Sequence, residues 1–265
     1  MSHHLEEAAR VALACMDLTS LGEADTPLIV ADLLSRSHSA AGEPAALCVW
    51  PRFVRQVVAG LQTDPARAPI RVAAVANFPS GAQPLQPVLS QVRGILADGG
   101  DEVDLVLDWQ ALRRGGAADV EAAAAAVRAV RQACRRATLK LIIESGELKE
   151  PALIEQASRI GLNEGVDFLK TSTGKTPTGA TPEAARVMLQ AIAAHPRGAA
   201  VGFKVSGGVR TVADAQVYID LVGQILGPLA LCPARFRIGA SGLLADVLAV
   251  MGTGAGNGPV GRESY

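Results

Sequence analysis

Two short runs of this 265-residue chain each place a lysine where it could become an amine nucleophile. In Asp167-Phe168-Leu169-Lys170-Thr171, Phe168 and Lys170 share one strand face. In Val201-Gly202-Phe203-Lys204-Val205, Gly202 and Lys204 do the same. If the two runs pair, a strand spacing of about 4.8 Å brings the ammonium groups within roughly 5–6 Å of each other. A lysine with an ordinary pKa near 10.4 is neutral less than about 0.1% of the time at pH 7. Two unit charges about 5 Å apart, at an effective dielectric of about 20, repel by roughly 3 kcal/mol. That lowers one pKa by about two units and raises the neutral fraction roughly a hundredfold. A neutral lysine adds to a small aldehyde to give a Schiff base. Gly202 is expected to leave room for the two side chains. Spacing alone does not say which lysine attacks.

Charged residues elsewhere fall in similar runs. Glu102, Asp104 and Asp108 alternate with Val103, Leu105 and Leu107, while Lys140 and Glu144 alternate with Leu139, Leu141 and Ile143. A strand covered by helices needs an apolar outer face, so these charges are expected to point inward. Buried charges cost several kcal/mol unless paired, which makes such a set a candidate proton network. Each lysine could also serve only to neutralise Asp17, Asp104 or Glu144. Glycine-rich segments follow the lysine runs: Thr173-Gly174-Lys175, Ser206-Gly207-Gly208-Val209-Arg210 and, later, Gly239-Ala240-Ser241-Gly242. Exposed backbone N–H groups and helix N-termini at such loops make an anion cradle that suits a phosphorylated ligand.

The elements that must hold these residues read as an alternation. Strand-like runs fall at 13–19, 45–50, 70–76, 102–108, 138–143, 166–171, 200–205 and 236–240. Helical patterns lie near 26–37, 51–62, 84–97, 119–136, 150–161, 182–194, 211–226 and 242–251. Thr26-Pro27, Thr181-Pro182-Glu183 and Thr211-x-x-Asp214 mark three helix starts. Eight strands joined through helices predict parallel pairing by right-handed crossovers, and eight is the number that closes a ring. The expected fold is a single-domain (β/α)8 TIM barrel over 1–251, with a short N-terminal helix and a flexible glycine-rich tail over 252–265. In such barrels, catalytic side chains project from the C-terminal ends of strands.

Composition narrows the function classes. Lys and Arg number 25 against 26 Asp and Glu, and aromatics make up only 3%, so no basic, aromatic-laced surface suggests nucleic acid. No apolar run resembles a signal peptide or reaches membrane-spanning length, so cytoplasm is the expected location. Cys15, Cys48, Cys134 and Cys232 are too scattered for a metal or redox motif and read as reduced thiols. His3, His4, His38 and His195 offer no three-ligand spacing, so neither a metal nor another cofactor is expected. The tail's Gly252-Thr253-Gly254-Ala255-Gly256 leads into no strand or helix, unlike a dinucleotide fingerprint. Gly174-Lys175-Thr176 mimics the end of a P-loop, but Leu169 stands at its first glycine.

Taken in order, Met16-Asp17-Leu18-Thr19, Asn77-Phe78-Pro79, Asp101-Glu102-Val103-Asp104 and Lys140-Leu141-Ile142-Ile143-Glu144-Ser145-Gly146-Glu147-Leu148 resemble the deoxyribose-phosphate aldolases. The segments around Lys170 and Lys204, and Gly239-Ala240-Ser241, extend the resemblance from about residue 10 to the C-terminus. It implies metal-free, reversible cleavage of 2-deoxy-D-ribose 5-phosphate to acetaldehyde and D-glyceraldehyde 3-phosphate. Lys170 then matches the Schiff-base lysine, Lys204 the lysine that perturbs it, and Asp104 the carboxylate that relays protons. Asp17 and Lys140 match the supporting network. Tyr265 matches a terminal tyrosine that acts at the enamine carbon. Gly174, Lys175, Gly207, Gly208, Arg210, Gly239 and Ser241 match the phosphate site. The implied partners are a phosphosugar and acetaldehyde, with no nucleic acid or membrane; a homodimer is one assembly the chain allows. Two departures stand out: Gly242 replaces a serine that would add a hydroxyl near the phosphate, and Asp108-Trp109 differs from the family pattern.

Overall fold

The computed structural model describes residues 2–62 and 70–252. The chain opens with α1 (Ser2–Ala14), β1 (Met16–Thr19), α2 (Pro27–Arg36), β2 (Ala46–Val49), α3 (Val54–Leu61) and β3 (Arg71–Ala76). It continues through α4 (Leu85–Ala97), β4 (Glu102–Val106), α5 (Trp109–Arg114), α6 (Ala117–Ala133) and β5 (Thr138–Ile142). Then come α7 (Ser145–Leu148), α8 (Pro151–Asn163), β6 (Phe168–Lys170), α9 (Pro182–Ala194), β7 (Gly202–Ser206), α10 (Val212–Leu226), β8 (Phe236–Ala240) and α11 (Leu243–Val250). All eight strands pair in parallel with their neighbours, and β8 returns to β1, closing the ring. The backbone N–H of Ile238 donates to the carbonyl of Cys15 at 2.8 Å at that seam. This is the eight-stranded barrel expected above.

Strand alternation sorts the interior into two regions. Outward residues such as Leu18, Leu47, Val103, Leu139, Leu169, Phe203 and Ile238 join one buried apolar layer with the helices. Inside the ring, Ala46, Cys48, Ala73, Val75, Val106 and Ile142 form a separate small cluster with Leu21 and Phe78. The rest of the lumen is charged: Asp17, Glu102, Asp104, Lys140, Lys170, Lys204 and Arg237 are all buried. Period-two alternation therefore gives the same strands an oily exterior and a partly ionic interior.

The hydroxyl caps act where expected. Thr181 Oγ1 accepts from Ala184 N (3.2 Å), while Thr211 Oγ1 accepts from Asp214 N (3.1 Å) and Asp214 Oδ2 accepts from Thr211 N (2.9 Å). Two expectations shift. The first strand was read from residue 13, yet Leu13 and Ala14 finish α1, whose Ala8, Ala9, Ala12 and Leu13 are buried at helical spacing. This helix begins at Ser2, so His3 and His4 lie in its first turn. The pattern read as one helix over 119–136 is preceded by separate α5, which Asp108 caps by accepting from Ala111 N at 3.0 Å. Asp108 thus serves a helix start instead of facing the lumen with Asp104. No helix among the described residues is long and apolar enough to cross a membrane.

Candidate active site

Lys170 and Lys204 are register partners on β6 and β7. Lys170 Nζ donates to Asp104 Oδ2 at 2.9 Å, and Lys204 Nζ donates to the same oxygen at 2.7 Å. The two nitrogens are therefore no farther apart than the sum of those two bonds. Lys140 Nζ on β5 donates to the other Asp104 oxygen, Oδ1, and to Asp17 Oδ2, each at 3.0 Å. It also pairs with Glu102, and Lys204 pairs with Asp17. Asp17, Asp104, Lys140, Lys170 and Lys204, five residues expected to act together, thus form one buried cluster.

Their protonation follows from these contacts. Burial pushes the Lys170 amine down from the ordinary lysine range; Asp104 opposes this, and the neighbouring Lys204 charge adds to the depression. Desolvation thus leads and repulsion from Lys204 is secondary, whereas spacing alone had pointed to repulsion. Lys204 and Lys140 go the other way. Burial disfavours their charge, but Asp104 and Asp17 outweigh it for both, with Glu102 adding its share for Lys140. Asp104 is held well below the usual carboxylate range because the three lysines overcome its desolvation. One amine poised toward neutrality beside two amines that stay charged is suited to nucleophilic addition at a carbonyl followed by proton transfer.

Space for these chains comes from glycines, though not as expected. A Cβ on Gly202 would meet the Phe168 ring at 2.2 Å, so Gly202 accommodates that ring and not the lysines. Gly239 does the latter: a Cβ there would come within 3.0 Å of Lys204 Cε. Glu144 also departs from expectation. It leaves the strand with φ 55° and turns its carboxylate to the loop after β6, accepting from Thr173 Oγ1 (2.6 Å) and Thr176 Oγ1 (3.3 Å).

Above the cluster, at the C-terminal end of the strands, opens a cavity of about 490 Å³ with Lys170 in its lining. Gly174, Lys175, Gly207, Gly208, Arg210, Gly239 and Ser241 line the same cavity. Gly174, Gly207 and Gly208 have φ of 75°, 85° and 93°, values that need glycine. Gly207 and Gly179 pack so closely that a Cβ on Gly179 would lie 2.5 Å from the Gly207 carbonyl oxygen. Cys48 faces the lumen from β2, fully buried, and burial pushes its thiol up. Tyr265 lies outside the described residues. A larger depression of about 1140 Å³ lies at the opposite end of the barrel, where Glu102 and Arg237 reach its floor.

Arg237 was missed by sequence reading. It sits on β8 between outward Phe236 and Ile238, which is the alternation that singled out Asp104 and Lys140. Its Nη1 donates to Asp17 Oδ1 at 2.6 Å and its Nη2 to Glu102 Oε1 at 2.8 Å.

Comparison with known proteins agrees with this geometry. The chain is 46% identical over 249 residues to the deoxyribose-phosphate aldolase of Agrobacterium fabrum, covering 94% of this chain and 93% of that one. The apo-form crystal structure of a Toxoplasma gondii protein, provisionally called a deoxyribose-phosphate aldolase, superposes with a TM-score of 0.87 at 25% identity. That match covers 94% of this chain and 98% of the other. The deoxyribose phosphate aldolase of Aeropyrum pernix, described as a tetramer, shares the fold with a TM-score of 0.70 at 21% identity, over 96% and 99% of the two chains. The family model of the DeoC/LacD family aldolases matches residues 11–246, and the chain belongs to that family.

Proposed function

We propose that this protein is a 2-deoxy-D-ribose-5-phosphate aldolase that works through a Schiff base on Lys170. The observation that carries this is one carboxylate oxygen, Asp104 Oδ2, holding Lys170 and Lys204 together beneath a glycine-lined cavity. The neutral Lys170 amine adds to the C1 aldehyde of the open-chain sugar. The resulting carbinolamine loses water as Asp104 relays protons, leaving an iminium ion. The C3 hydroxyl proton then passes to the Asp104 relay as the C2–C3 bond breaks. Its electron pair flows into the iminium to give an enamine, and D-glyceraldehyde 3-phosphate departs. Protonation of the enamine at C2, a step assigned to Tyr265 by resemblance, and hydrolysis of the imine return acetaldehyde and free Lys170. Lys204 and Lys140 remain charged, keeping Asp17 ionised and returning Asp104 to its ionised form after each proton transfer.

The phosphate of the substrate fits the cradle formed by Gly174, Lys175, Gly207, Gly208, Arg210, Gly239 and Ser241, mainly through backbone N–H groups and the positive end of α11. Cytoplasmic residence is part of the same reading and is supported by four unpaired cysteines. Acetaldehyde with borohydride is expected to leave a reduced two-carbon adduct on the peptide that contains Lys170. An adduct on Lys204 instead would overturn the assignment of roles. Turnover of fructose or sedoheptulose phosphates in preference to deoxyribose 5-phosphate would overturn the substrate.

A further inference from the structure

The charges buried in the lumen do not balance, and the surplus falls on one residue. Inside the ring, Asp17, Glu102 and Asp104 supply three carboxylates, whereas Arg237, Lys140, Lys170 and Lys204 supply four basic groups, all of them buried; the buried carboxylate of Glu144 is turned to the loop after β6, where Thr173 and Thr176 hold it. Arg237 is a fixed positive charge, since a guanidinium does not deprotonate in proteins. It forks onto Glu102, with Nη2 to Oε1 at 2.8 Å and Nη1 to Oε2 at 3.2 Å, and bonds Asp17 Oδ1 at 2.6 Å. Lys140 bridges Glu102, Asp17 and Asp104, and Lys204 bridges Asp17 and Asp104. Among the described residues, Lys170 pairs only with Asp104, which the other two lysines already share.

We propose that the Arg237–Glu102 pair on the barrel floor is a positioning pair that sets the charge balance of the lumen, so that Lys170 is the base left without a carboxylate of its own. Arg237 acts through Asp17 and Lys140, at a distance from any substrate. It occupies one carboxylate charge at the bottom of the barrel and leaves Asp104 to be divided among three amines at the top. Phe168, whose ring lies 5.6 Å from the Arg237 guanidinium carbon, fills the space between the floor and Lys170 on β6. The directions in which the amines are displaced agree: Lys140 and Lys204 are held charged, and Lys170 is pushed toward neutrality. The other groups that face Lys170 are the Cys48 thiol on β2, kept protonated by burial, and Glu144 after β5. The Glu144 carboxylate is engaged by Thr173 and Thr176.

The inference rests on Lys170 being the reacting amine, and its test separates the two claims. The measurement is the pH dependence of the rate at which acetaldehyde and cyanoborohydride label the Lys170 peptide. β6 and β8 are two strand spacings apart, about 10 Å, where a unit charge at an effective dielectric of about 20 moves a pKa by about one unit. Arg237→Met removes a positive charge and should move the acid limb up by about one pH unit. Glu102→Gln removes a negative charge and should move it down by a similar amount. The double variant restores the count and should bring the limb back toward wild type. Arg237→Lys keeps the charge while losing the fork, folds under milder strain, and should leave the limb near wild type. A purely structural pair would lower the labelling of both single variants without opposite shifts. That result, or an Arg237→Lys limb displaced as far as that of Arg237→Met, overturns the proposal. Absence of any Lys170 adduct in the wild-type enzyme would instead overturn the Schiff-base assignment itself.

Discussion

Gly242 marks a place where a single side chain would change the function in a readable way. It stands at the start of α11 with φ −99°, a conformation open to any residue, and a Cβ built there meets nothing within 4 Å. Gly242→Ser therefore adds a hydroxyl to the rim of the anion cradle without strain. A hydrogen bond to a charged group contributes about 1.5–3 kcal/mol. KM for deoxyribose 5-phosphate is expected to fall by about tenfold, while KM for unphosphorylated deoxyribose stays constant. Steady-state kinetics on the two sugars checks this, and equal changes in both would remove phosphate from this rim. Among the site residues, those legible in the sequence were charges set among apolar neighbours at period two, such as Asp104 and Lys140. Arg237 obeys the same rule, but its strand was read for the glycines that follow it. The jobs of Gly202 and Gly239 were beyond reach. Which side chain fills the space over a glycine depends on register between strands, and the sequence carries no record of that.

At the scale of elements, the loop after β6 is held from outside its own strand. Glu144, at the end of β5, accepts from the Thr173 and Thr176 hydroxyls and from Thr173 N–H at 3.3 Å. The segment that carries Gly174 and Lys175 is thus tied to the neighbouring strand. Glu144→Ala frees this loop and leaves Thr173 N–H without its acceptor, at a cost of about 1–3 kcal/mol. The expected result is a KM for deoxyribose 5-phosphate raised about tenfold with kcat changed less than threefold. A fall in kcat with KM unchanged would place Glu144 in the chemistry instead. Most elements were legible because strands covered on both sides read as short apolar runs, and because Thr181, Thr211 and their partners punctuate helix starts. Boundaries failed where punctuation is missing. Between Ala12 and Met16 no glycine or proline separates α1 from β1, and the apolar run crosses from helical to strand period without a mark.

Across the whole molecule, the ionic lumen ties stability to pH. Asp17 and Asp104 are both held below the ordinary carboxylate range. For Asp17, burial is outweighed by Lys140, Lys204 and Arg237; for Asp104, by the three lysines. A carboxylate depressed in the folded state contributes stability above its unfolded value, near 3.9, and loses that contribution as pH falls toward the folded value. The urea midpoint should therefore hold steady from pH 7 to about 5 and fall steeply below about pH 4. A midpoint unchanged at pH 3 would mean that these carboxylates are not held ionised by their partners. Asp17 and Arg237, which share a 2.6 Å bond, lie 220 residues apart in the chain and on the two strands that meet at the seam. β8 thus supplies Asp17 with one counter-charge beside those of Lys140 and Lys204. Until β8 closes onto β1, the ring has an open edge and Asp17 lacks its guanidinium partner. Closing the ring at this seam therefore also completes the set of positive charges around Asp17.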